Sequence, residues 1–364
     1  KHTMRLKFIK VKKMKKNITI VIKVIIFTII FLLLLNIITK VLTPKWLSKI
    51  DPALPRIKGL YEEKVNSLDC LAIGNSNVGR GISPITLWDK YGITSYDLGT
   101  SNQTMSLAYY LLKEALEYQN PKVIIMDMNS LFVEEDAPEG EYRKLFDNLK
   151  FGRTKLEAIF DKNLGISKKS RLSYVFPIFR FHSRWSELKQ EDFEKLYYKS
   201  YNDIAYKGMA VSLKRKAYID KNNYMGLKQE ENSSIPDKNL QYFEKIVNMC
   251  EKKNIKILLI EIPSTYTWSL EKSNKTIELA NNYKLKFIDY NLKENIDRIN
   301  LDNKEDYADG GYHLNVYGAE KITNDLGEIL TREYNCINHK EDEKYAYWNE
   351  TSSKYHKRIE REKK

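Results

Sequence analysis

The chain has 364 residues, of which 42% are hydrophobic and 12% aromatic, so it can bury a sizeable core and is not expected to be disordered. Its formal net charge is +13, but eight Lys and Arg residues and no acid precede position 17, which leaves +5 (13 − 8) for the remainder. A charge of +5 spread over the rest of the chain is too dilute for a nucleic-acid groove, and no zinc-finger, RRM or helix-turn-helix pattern accompanies it. We therefore expect no nucleic-acid partner.

The first predicted element is an apolar segment, residues 18–42, which follows a basic arm at residues 1–17. A membrane-spanning helix needs about 20 mostly apolar residues, and the surplus of basic residues before the segment favours a cytoplasmic N-terminus. A cleaved signal peptide is the alternative, but residues 42–46 contain no small-x-small cleavage site. A buried core helix fits the one-sided charge poorly. The pattern predicts a single-pass protein of the cell membrane with its following domain extracellular.

After a tether at residues 43–67, in which Pro52 and Pro55 limit helix formation, residues 68–337 alternate between strand and helix patterns. The clearest helix begins at Ser83-Pro84, an N-cap followed by an N1 proline, and ends at Gly92. This alternation predicts a three-layer α/β/α, flavodoxin-like parallel sheet with functional groups at the carboxyl ends of its strands. The predicted strands are 68–73, 93–98, 122–128, 255–262 and 286–288, and the predicted helices are 83–92, 104–118, 239–253, 270–283 and 316–333.

Two regions depart from this alternation. Residues 130–235 are polar and aromatic, and a structureless loop of that length is improbable in a compact domain. We expect a mostly helical insertion over the carboxyl edge of the sheet. Residues 338–364 are charged, mixed in sign and poor in aliphatic side chains, which predicts a loose tail.

The cysteines and histidines do not predict a metal site or a disulfide framework. Three cysteines are present, without metal-like spacing, and Cys70 and Cys250 are interpreted as small core residues. An exported domain of this kind is typical of a Gram-positive bacterial surface. Asp309 and His313 alone are too few to hold a metal, so no metal or cofactor is expected.

A serine, an acid and a histidine stand where a serine acyl-transfer site would need them. Ser76 follows the first predicted strand, and Asp309 and His313 lie together near the end of the domain. A serine hydroxyl needs a base to take its proton, and the base needs a carboxylate to orient it. The oxyanion would then require donors, for which the Ser76 amide, Gly99 and Asn129 stand at the ends of strands. The alternatives are a loop serine, a helix-capping histidine, a turn glycine and a capping asparagine.

These residues resemble the SGNH (GDSL-like) hydrolase superfamily over about residues 68–333. The first motif of that family, Gly-Asp-Ser, is similar to Gly74-Asn75-Ser76, and its second, a glycine, to Gly99. The third, Gly-x-Asn-Asp, is similar to Asp127-Met128-Asn129-Ser130, and the last, Asp-x-x-His, to Asp309 through His313-Leu314-Asn315. The resemblance implies a serine nucleophile Ser76, a base His313, an acid Asp309, and oxyanion donors Gly99 and Asn129.

Three positions differ from the family pattern. Asn75 replaces the usual Asp, Asp127 replaces a glycine, and Asp309 stands four residues before His313 instead of three. Asp306 is the alternative acid. The candidate substrate contacts are Asn75, Asn77, Asn102, His182 and Trp185.

The single anchor and the aromatic insertion are similar to one branch of this superfamily, the DltD-type and AlgJ-like proteins that work beside membrane-bound O-acyltransferases. That resemblance implies acyl transfer to a cell-envelope polysaccharide or teichoic-acid-type polymer, with a membrane-bound O-acyltransferase as partner. Two other functions stay open: a surface esterase or deacetylase, and a non-catalytic polymer-binding or assembly protein on a degenerate SGNH scaffold.

Overall fold

The computed structural model describes residues 2–44, 53–133, 136–193, 205–218 and 233–363. The chain divides into two compact units. The first contains Lys1–Leu47 and Leu172–Leu196, and the second contains Ser48–Arg171 and Tyr197–Lys364. The predicted anchor belongs to the first unit, and the predicted α/β domain belongs to the second except for residues 172–196.

In chain order, the described helices are α1 (His2–Leu42), α2 (Ala53–Leu60), α3 (Ser76–Gly81), α4 (Pro84–Tyr91), α5 (Met105–Ala115), α6 (Glu139–Phe146), α7 (Arg153–Phe160), α8 (Lys168–Val175), α9 (Ile178–Phe181), α10 (Gln190–Phe193), α11 (Asp237–Lys252), α12 (Leu270–Asn282), α13 (Lys293–Arg298), α14 (Val316–Tyr334) and α15 (Tyr347–Lys363). The described strands are β1 (Cys70–Ile73), β2 (Ser95–Asp97), β3 (Val123–Asp127), β4 (Lys256–Glu261) and β5 (Lys286–Asp289). Short 3-10 helices cover Asn129–Phe132, His182–Ser186 and Glu343–Tyr345.

In the first unit, α1 is the dominant element. Its part Met14–Leu42 is long and apolar enough to cross a membrane, and no residue of its apolar 18-residue stretch is buried, although Leu42 at its end is. The predicted segment 18–42 lies inside this stretch. Helices α9 and α10 and the 3-10 helix His182–Ser186 pack against α1.

In the second unit, the described strands form a five-stranded parallel sheet in the order β2-β1-β3-β4-β5. This is the flavodoxin-like order, in which the chain moves outward from β1 in both directions and functional groups gather at the strand carboxyl ends. The predicted fold class is confirmed. Each predicted strand is present, and its bounds lie within a few residues of the expectation.

Both faces of the sheet are covered, as expected for parallel strands. Alternate strand residues such as Cys70, Ile125 and Leu258 join one hydrophobic cluster with side chains of α3, α4 and α14. The intervening residues, including Leu71 and Ile124, are also buried, and α5 and α11 pack against each other while α11 contacts β4. Because successive side chains of a strand point to opposite faces, the sheet lies between two helical layers.

The capping signals around α4 are confirmed. The Ser83 side chain accepts a hydrogen bond from the Thr86 amide, Pro84 is the first helical residue, and Gly92 adopts a left-handed conformation at φ 66°.

The tether prediction needs a correction at its second proline. Helix α2 contains Pro55, and its residues Ile57 and Leu60 are buried. Proline is tolerated in the first turn of a helix, where its missing amide hydrogen has no intrahelical acceptor. The second half of the predicted tether is therefore part of the packed domain.

The tail prediction was wrong for its larger part. Residues Tyr347–Lys363 form α15, and Trp348, Tyr355 and Ile359 on that helix are buried. The Trp348 ring stacks on the Trp88 ring of α4 with centroids 5.5 Å apart. Aromatic rings supply the apolar surface that the missing aliphatic residues would have supplied.

The region 130–235 is helical from Glu139 to Phe193 with interruptions, whereas residues 194–204 and 219–232 lie outside the described part. Residues 205–218 are mostly irregular and run past the strand ends. There, the Asp97 amide donates to the Lys207 carbonyl at 2.9 Å, and the Ala210 amide donates to the Gly79 carbonyl at 2.7 Å. Among the described residues of the insertion, this irregular strap reaches the carboxyl edge of the sheet, and so does helix α6, whose Lys144 Nζ donates to Ser101 Oγ at 2.6 Å.

Candidate active site at the carboxyl ends of the strands

The serine sits on a tight turn between β1 and α3. Gly74 has a φ of +153°, and a Cβ at this position would collide with the side chains of Asp127 and Val78. Glycine is required here because a side chain fits neither the conformation nor the space. The Asn75 side chain then accepts a hydrogen bond from the Asn77 amide at 2.7 Å and caps α3. This turn fixes Ser76 as the first residue of α3.

The structure brings Ser76, His313 and Asp309 together. The Ser76 Oγ lies 2.8 Å from His313 Nε2, although the two residues are 237 positions apart in the chain. On the other side of the ring, His313 Nδ1 lies 2.7 Å from Asp309 Oδ2. A carboxylate on Nδ1 fixes the tautomer in which Nδ1 carries the hydrogen and Nε2 accepts from the hydroxyl.

Asp309 reaches the histidine in spite of the extra residue in its motif. Gly310 and Gly311 both have positive φ, at 82° and 100°, and the turn they form doubles the chain back. Asp309 Oδ1 accepts the His313 amide at 2.7 Å while Oδ2 meets the ring. Asp306, the alternative acid, points elsewhere: its carboxylate accepts the Asp302 amide at 2.6 Å and pairs with Lys321 at 2.7 Å.

Arg80, on α3, is the charged residue near the site that sequence reasoning missed. Its Nη1 lies 3.5 Å from Asp309 Oδ2. Burial lowers the pKa of His313 below its ordinary value, the hydrogen bond with Asp309 raises it, and the positive charge of Arg80 lowers it further. A lowered pKa keeps the imidazole neutral and able to accept a proton near pH 7.

The predicted oxyanion donors are engaged elsewhere. The Gly99 amide donates to Asp97 Oδ1 at 2.7 Å. The Asn129 side-chain nitrogen donates to the Thr267 carbonyl at 3.0 Å. Both residues stand at strand ends as expected, but the structure uses them to hold neighbouring segments. The Ser76 amide, the third predicted donor, lies at the start of α3.

Four buried carboxyl groups line the strand ends beneath the site, at the last residues of β2, β3, β4 and β5: Asp97, Asp127, Glu261 and Asp289. Burial raises the pKa of Asp97 to about 7, with Arg56 and the Gly99 amide acting in the opposite direction. Burial likewise raises the pKa of Asp127 to about 7, against hydrogen bonds from nearby backbone amides. The pKa of Glu261 lies well above its usual range, because of burial and the neighbouring carboxyls Asp127 and Asp289.

The candidate substrate contacts are scattered. Asn75 caps α3, and the side chain of Asn77 is buried without a hydrogen-bond partner among the described residues. Asn102 has φ 46° and its side chain faces Glu141 at 3.5 Å. His182 and Trp185 belong to the first unit, together with α1, and not to the unit that holds Ser76.

A loop after β4 closes one side of the site. The amide and hydroxyl of Thr265 both donate to the Gly311 carbonyl, at 2.9 and 3.1 Å. The Tyr312 ring lies 4.3 Å from the His313 ring and 5.4 Å from the Tyr266 ring, centroid to centroid. Sequence reasoning missed this loop because it carries no recognisable motif. Across the described ranges, no group of three or more His, Cys, Asp or Glu side chains is arranged to hold a metal ion.

No family model matches the chain, and no curated protein matches it. Solved structures that it is similar to include a Bacteroides fragilis protein provisionally described as an acylhydrolase, with 12% identity over 75% of this chain and 91% of that one and a TM-score of 0.35. A Streptococcus pneumoniae protein provisionally described as a platelet activating factor has 14% identity over 78% of this chain and 94% of that one, with a TM-score of 0.38. An acetyl xylan esterase has 12% identity over 72% of this chain and 99% of that one, with a TM-score of 0.34. All three TM-scores lie below 0.5, and neither fold nor function is assigned from these similarities.

Proposed function

We propose that this chain is a serine-dependent acyl-transfer enzyme of the SGNH type that acts on an ester of a cell-envelope polymer. The observation that carries the proposal is the continuous chain of contacts from Ser76 Oγ through the His313 ring to Asp309, at 2.8 and 2.7 Å. Those distances are the hydrogen-bond distances that an activated serine requires. An ordinary loop serine has no need of a histidine oriented by a carboxylate.

In the proposed mechanism, the Ser76 Oγ attacks the carbonyl carbon of an ester and its proton passes to His313 Nε2. The Asp309 carboxylate stabilises the imidazolium that forms. The tetrahedral intermediate collapses when His313 returns the proton to the departing alcohol, which leaves the acyl group on Ser76. A polymer hydroxyl or water then gives its proton to His313 and attacks the acyl-enzyme, and His313 passes that proton to Ser76 Oγ as the acyl–serine bond breaks, which regenerates the serine.

The oxyanion needs a donor near Ser76, and the Ser76 amide is the one we retain. The Gly99 amide is excluded from this role in the described arrangement, because it donates to Asp97. Asn129 has a positioning role in this proposal, because its hydrogen bond to the Thr267 carbonyl fixes the loop beside His313.

The location and the polymer substrate are part of the same proposal. The helix α1 contains a span apolar enough to cross a membrane, and the basic residues before it favour a cytoplasmic N-terminus. The second unit would then face the cell envelope, where a membrane-bound O-acyltransferase is the proposed source of acyl groups.

Labelling with a fluorophosphonate probe tests the nucleophile. The full chain in detergent micelles should be labelled at Ser76, and Ser76→Ala should abolish the label. Ser106 is a matched control, because it is a buried serine on α5, and Ser106→Ala should label as the wild type does. Equal labelling of wild type and Ser76→Ala would remove the catalytic proposal.

The direction of transfer requires a second measurement, in cells. If the chain adds acyl groups, replacing the wild-type gene with Ser76→Ala lowers the ester content of the envelope polymer. If it removes them, the same substitution raises the ester content. An unchanged ester content contradicts the assignment of an envelope polymer as substrate.

A further inference from the structure

Two exposed tyrosines form a surface next to His313 that the mechanism does not use. Tyr266 is 57% exposed and Tyr312 is 37% exposed. Their ring centroids are 5.4 Å apart with the planes inclined by 41°, and the Tyr312 ring adjoins the His313 ring at 4.3 Å. We refer to Tyr266 and Tyr312 as the tyrosine platform.

The backbone beneath the platform is held in place from several directions. Thr265 is bonded twice to the Gly311 carbonyl, and the Ser264 amide donates to Asn291 Oδ1 at 2.9 Å. Trp268, on the same loop, is fully buried and its indole nitrogen donates to a carboxylate oxygen at the end of β5 at 2.8 Å. Tyr266 therefore projects from a loop whose backbone is held by hydrogen bonds, and Tyr312 projects from the turn between Asp309 and His313 that the same contacts join to this loop.

The chemistry of the platform selects a sugar ring. One face of a pyranose presents C–H groups, which pack on an aromatic ring, while the hydroxyl groups at its edge stay in water. A ring stacked beside His313 would bring a substituent at its edge toward Ser76, because Ser76 Oγ is 2.8 Å from the same histidine. A simple aliphatic ester has no ring to place there.

From this geometry we infer that the tyrosine platform is a stacking subsite for a pyranose ring of the substrate, which makes the substrate class an O-acylated glycan. The inference rests on the proposed acyl-transfer function at Ser76. Tyr266 and Tyr312 are positioning residues that bind the sugar, and they take no part in proton transfer.

Two esters of the same acid separate the platform from the hydrolytic chemistry. A 6-O-acetylated gluco-oligosaccharide carries rings that can stack, and ethyl acetate carries none. The ratio of kcat/KM for the oligosaccharide to kcat/KM for ethyl acetate should fall about 3- to 10-fold in Tyr266→Ala, the loss expected for one aromatic contact. Tyr266→Phe should restore the ratio, because it keeps the ring. Phe151→Ala, which removes another exposed aromatic side chain, 69% exposed, should leave the ratio at the wild-type value.

A binding measurement keeps the two proposals distinguishable. In the Ser76→Ala chain, calorimetric titration with the same oligosaccharide should show binding that Tyr266→Ala weakens by a similar factor. Absence of acetate release from both esters by the wild type, with binding intact, would contradict the proposed function and support the platform. Acetate release from both esters with an unchanged ratio and unchanged binding in Tyr266→Ala would overturn the platform.

A second surface, in the first unit, carries an independent inference. Four aromatic side chains there are exposed: Phe176 by 41%, Phe179 by 58%, Trp185 by 73% and Phe193 by 65%. We refer to these four residues as the aromatic collar. The Phe176 and Phe179 rings are in edge contact with centroids 6.0 Å apart, and exposed apolar patches on a protein surface mark interaction sites.

The collar lies at the end of the candidate membrane span. Arg184 Nη1 donates to the carbonyl of Leu42, the last residue of α1, at 2.5 Å. The same guanidinium pairs with both oxygens of Asp192 at 3.1 Å, which ties α10 to the end of α1. Aromatic residues with basic neighbours are enriched where a spanning helix leaves the bilayer.

The geometry points to the lipid headgroup and acyl boundary as the occupant of the aromatic collar, with the rings inserted beside the end of α1. This surface accounts for the aromatic run near His182 and Trp185 without a substrate role.

Tryptophan fluorescence tests the contact directly. Trp88, Trp268 and Trp348 are buried, and Trp46 lies outside the described residues, so Trp46→Phe is introduced as the background. In nanodiscs of phosphatidylcholine with brominated acyl chains, this variant should be quenched relative to unbrominated lipid. Adding Trp185→Phe should remove most of the quenching. Absence of quenching, or equal quenching with and without Trp185, would overturn the membrane contact.

Discussion

At the scale of single residues, Asp309 shows how a turn can absorb a change in motif spacing. The carboxylate is separated from His313 by three residues, two of them glycines with positive φ. Glycine populates such conformations readily, so the turn folds back far enough for both carboxylate oxygens to reach His313. The position of this acid could be expected from sequence only as one of two options, because the conformation of two glycines is not encoded in the spacing.

Substituting the two acids separately distinguishes their roles. Asp309→Asn should reduce the rate of fluorophosphonate labelling at Ser76 by roughly 100- to 10,000-fold, because the imidazole loses the carboxylate that orients it. Asp306→Asn should instead lower the free energy of unfolding by about 1–3 kcal/mol, because a buried acceptor of Lys321 is weakened. Labelling kinetics and urea unfolding of the full chain measure the two effects. A slow-labelling Asp306→Asn beside a normal Asp309→Asn would reverse the assignment.

Arg80 provides a prediction about pH. Its positive charge lowers the pKa of His313, and the neutral imidazole is the form that accepts the serine proton. In Arg80→Gln the pKa of His313 should rise, so the acidic side of the pH profile of the labelling rate should move to higher pH. Arg80→Lys keeps the charge and should stay near the wild-type profile. Because Arg80 is partly exposed, added salt should shrink the difference between Arg80→Gln and the wild type. A shift of the Arg80→Gln limb toward lower pH would contradict the proposed effect of the charge.

At the scale of elements, the helices and strands with aliphatic periodicity were predictable and α15 was not. Its buried residues follow the i, i+3, i+4, i+7, i+11 spacing of one helical face: Trp348, Thr351, Ser352, Tyr355 and Ile359. Only one of them is aliphatic, and charged residues fill the other faces. The helical periodicity was therefore present in the sequence, but the many charged residues and the lack of aliphatic ones obscured it. The contact with α4 in the structure shows that this face of α15 is buried.

Removing the Trp348 ring should test whether α15 is part of the domain core. Trp348 is fully buried and stacks on Trp88, so Trp348→Ala should lower the free energy of unfolding by about 3–5 kcal/mol, the usual cost of an aromatic cavity. The matched control is Phe151→Ala, whose side chain is exposed. Urea unfolding of the full chain in detergent gives both values. Equal stability of the two variants would mean that α15 contributes little.

At the scale of the whole molecule, the order of the strands brings candidate site residues from distant parts of the chain to one edge of the sheet. The alternation of strands and helices was sufficient to predict that edge, whereas Ser76, His313 and the two candidate acids were proposed from their motifs. The engagement of Gly99 by Asp97 and of Asn129 by Thr267 was not predictable. Those contacts depend on how neighbouring loops pack, and the nearby strap at residues 205–218 has no sequence motif.

The buried carboxyls predict how stability depends on pH. A carboxyl whose pKa is raised on folding stabilises the folded chain fully below its unfolded pKa, about 4, and this stability is lost as pH rises through the folded pKa. For Asp97 and Asp127 the folded pKa is about 7. The melting temperature should therefore be higher at pH 5.5 than at pH 8, although His313, with its lowered pKa, opposes this trend. Calorimetry should show a smaller difference for Asp127→Asn. A melting temperature that rises over this interval would contradict the raised pKa values.

The separation of 237 positions between Ser76 and His313 also sets an order of events during synthesis. Ribosomes complete the amino-terminal part of a chain first, so the hydroxyl of Ser76 is made long before its base. Under the proposed function, a nascent chain that stops before His313 carries Ser76 without its proposed base. The proposed mechanism therefore becomes possible only after the segment that contains His313 has been synthesised and has folded against α3.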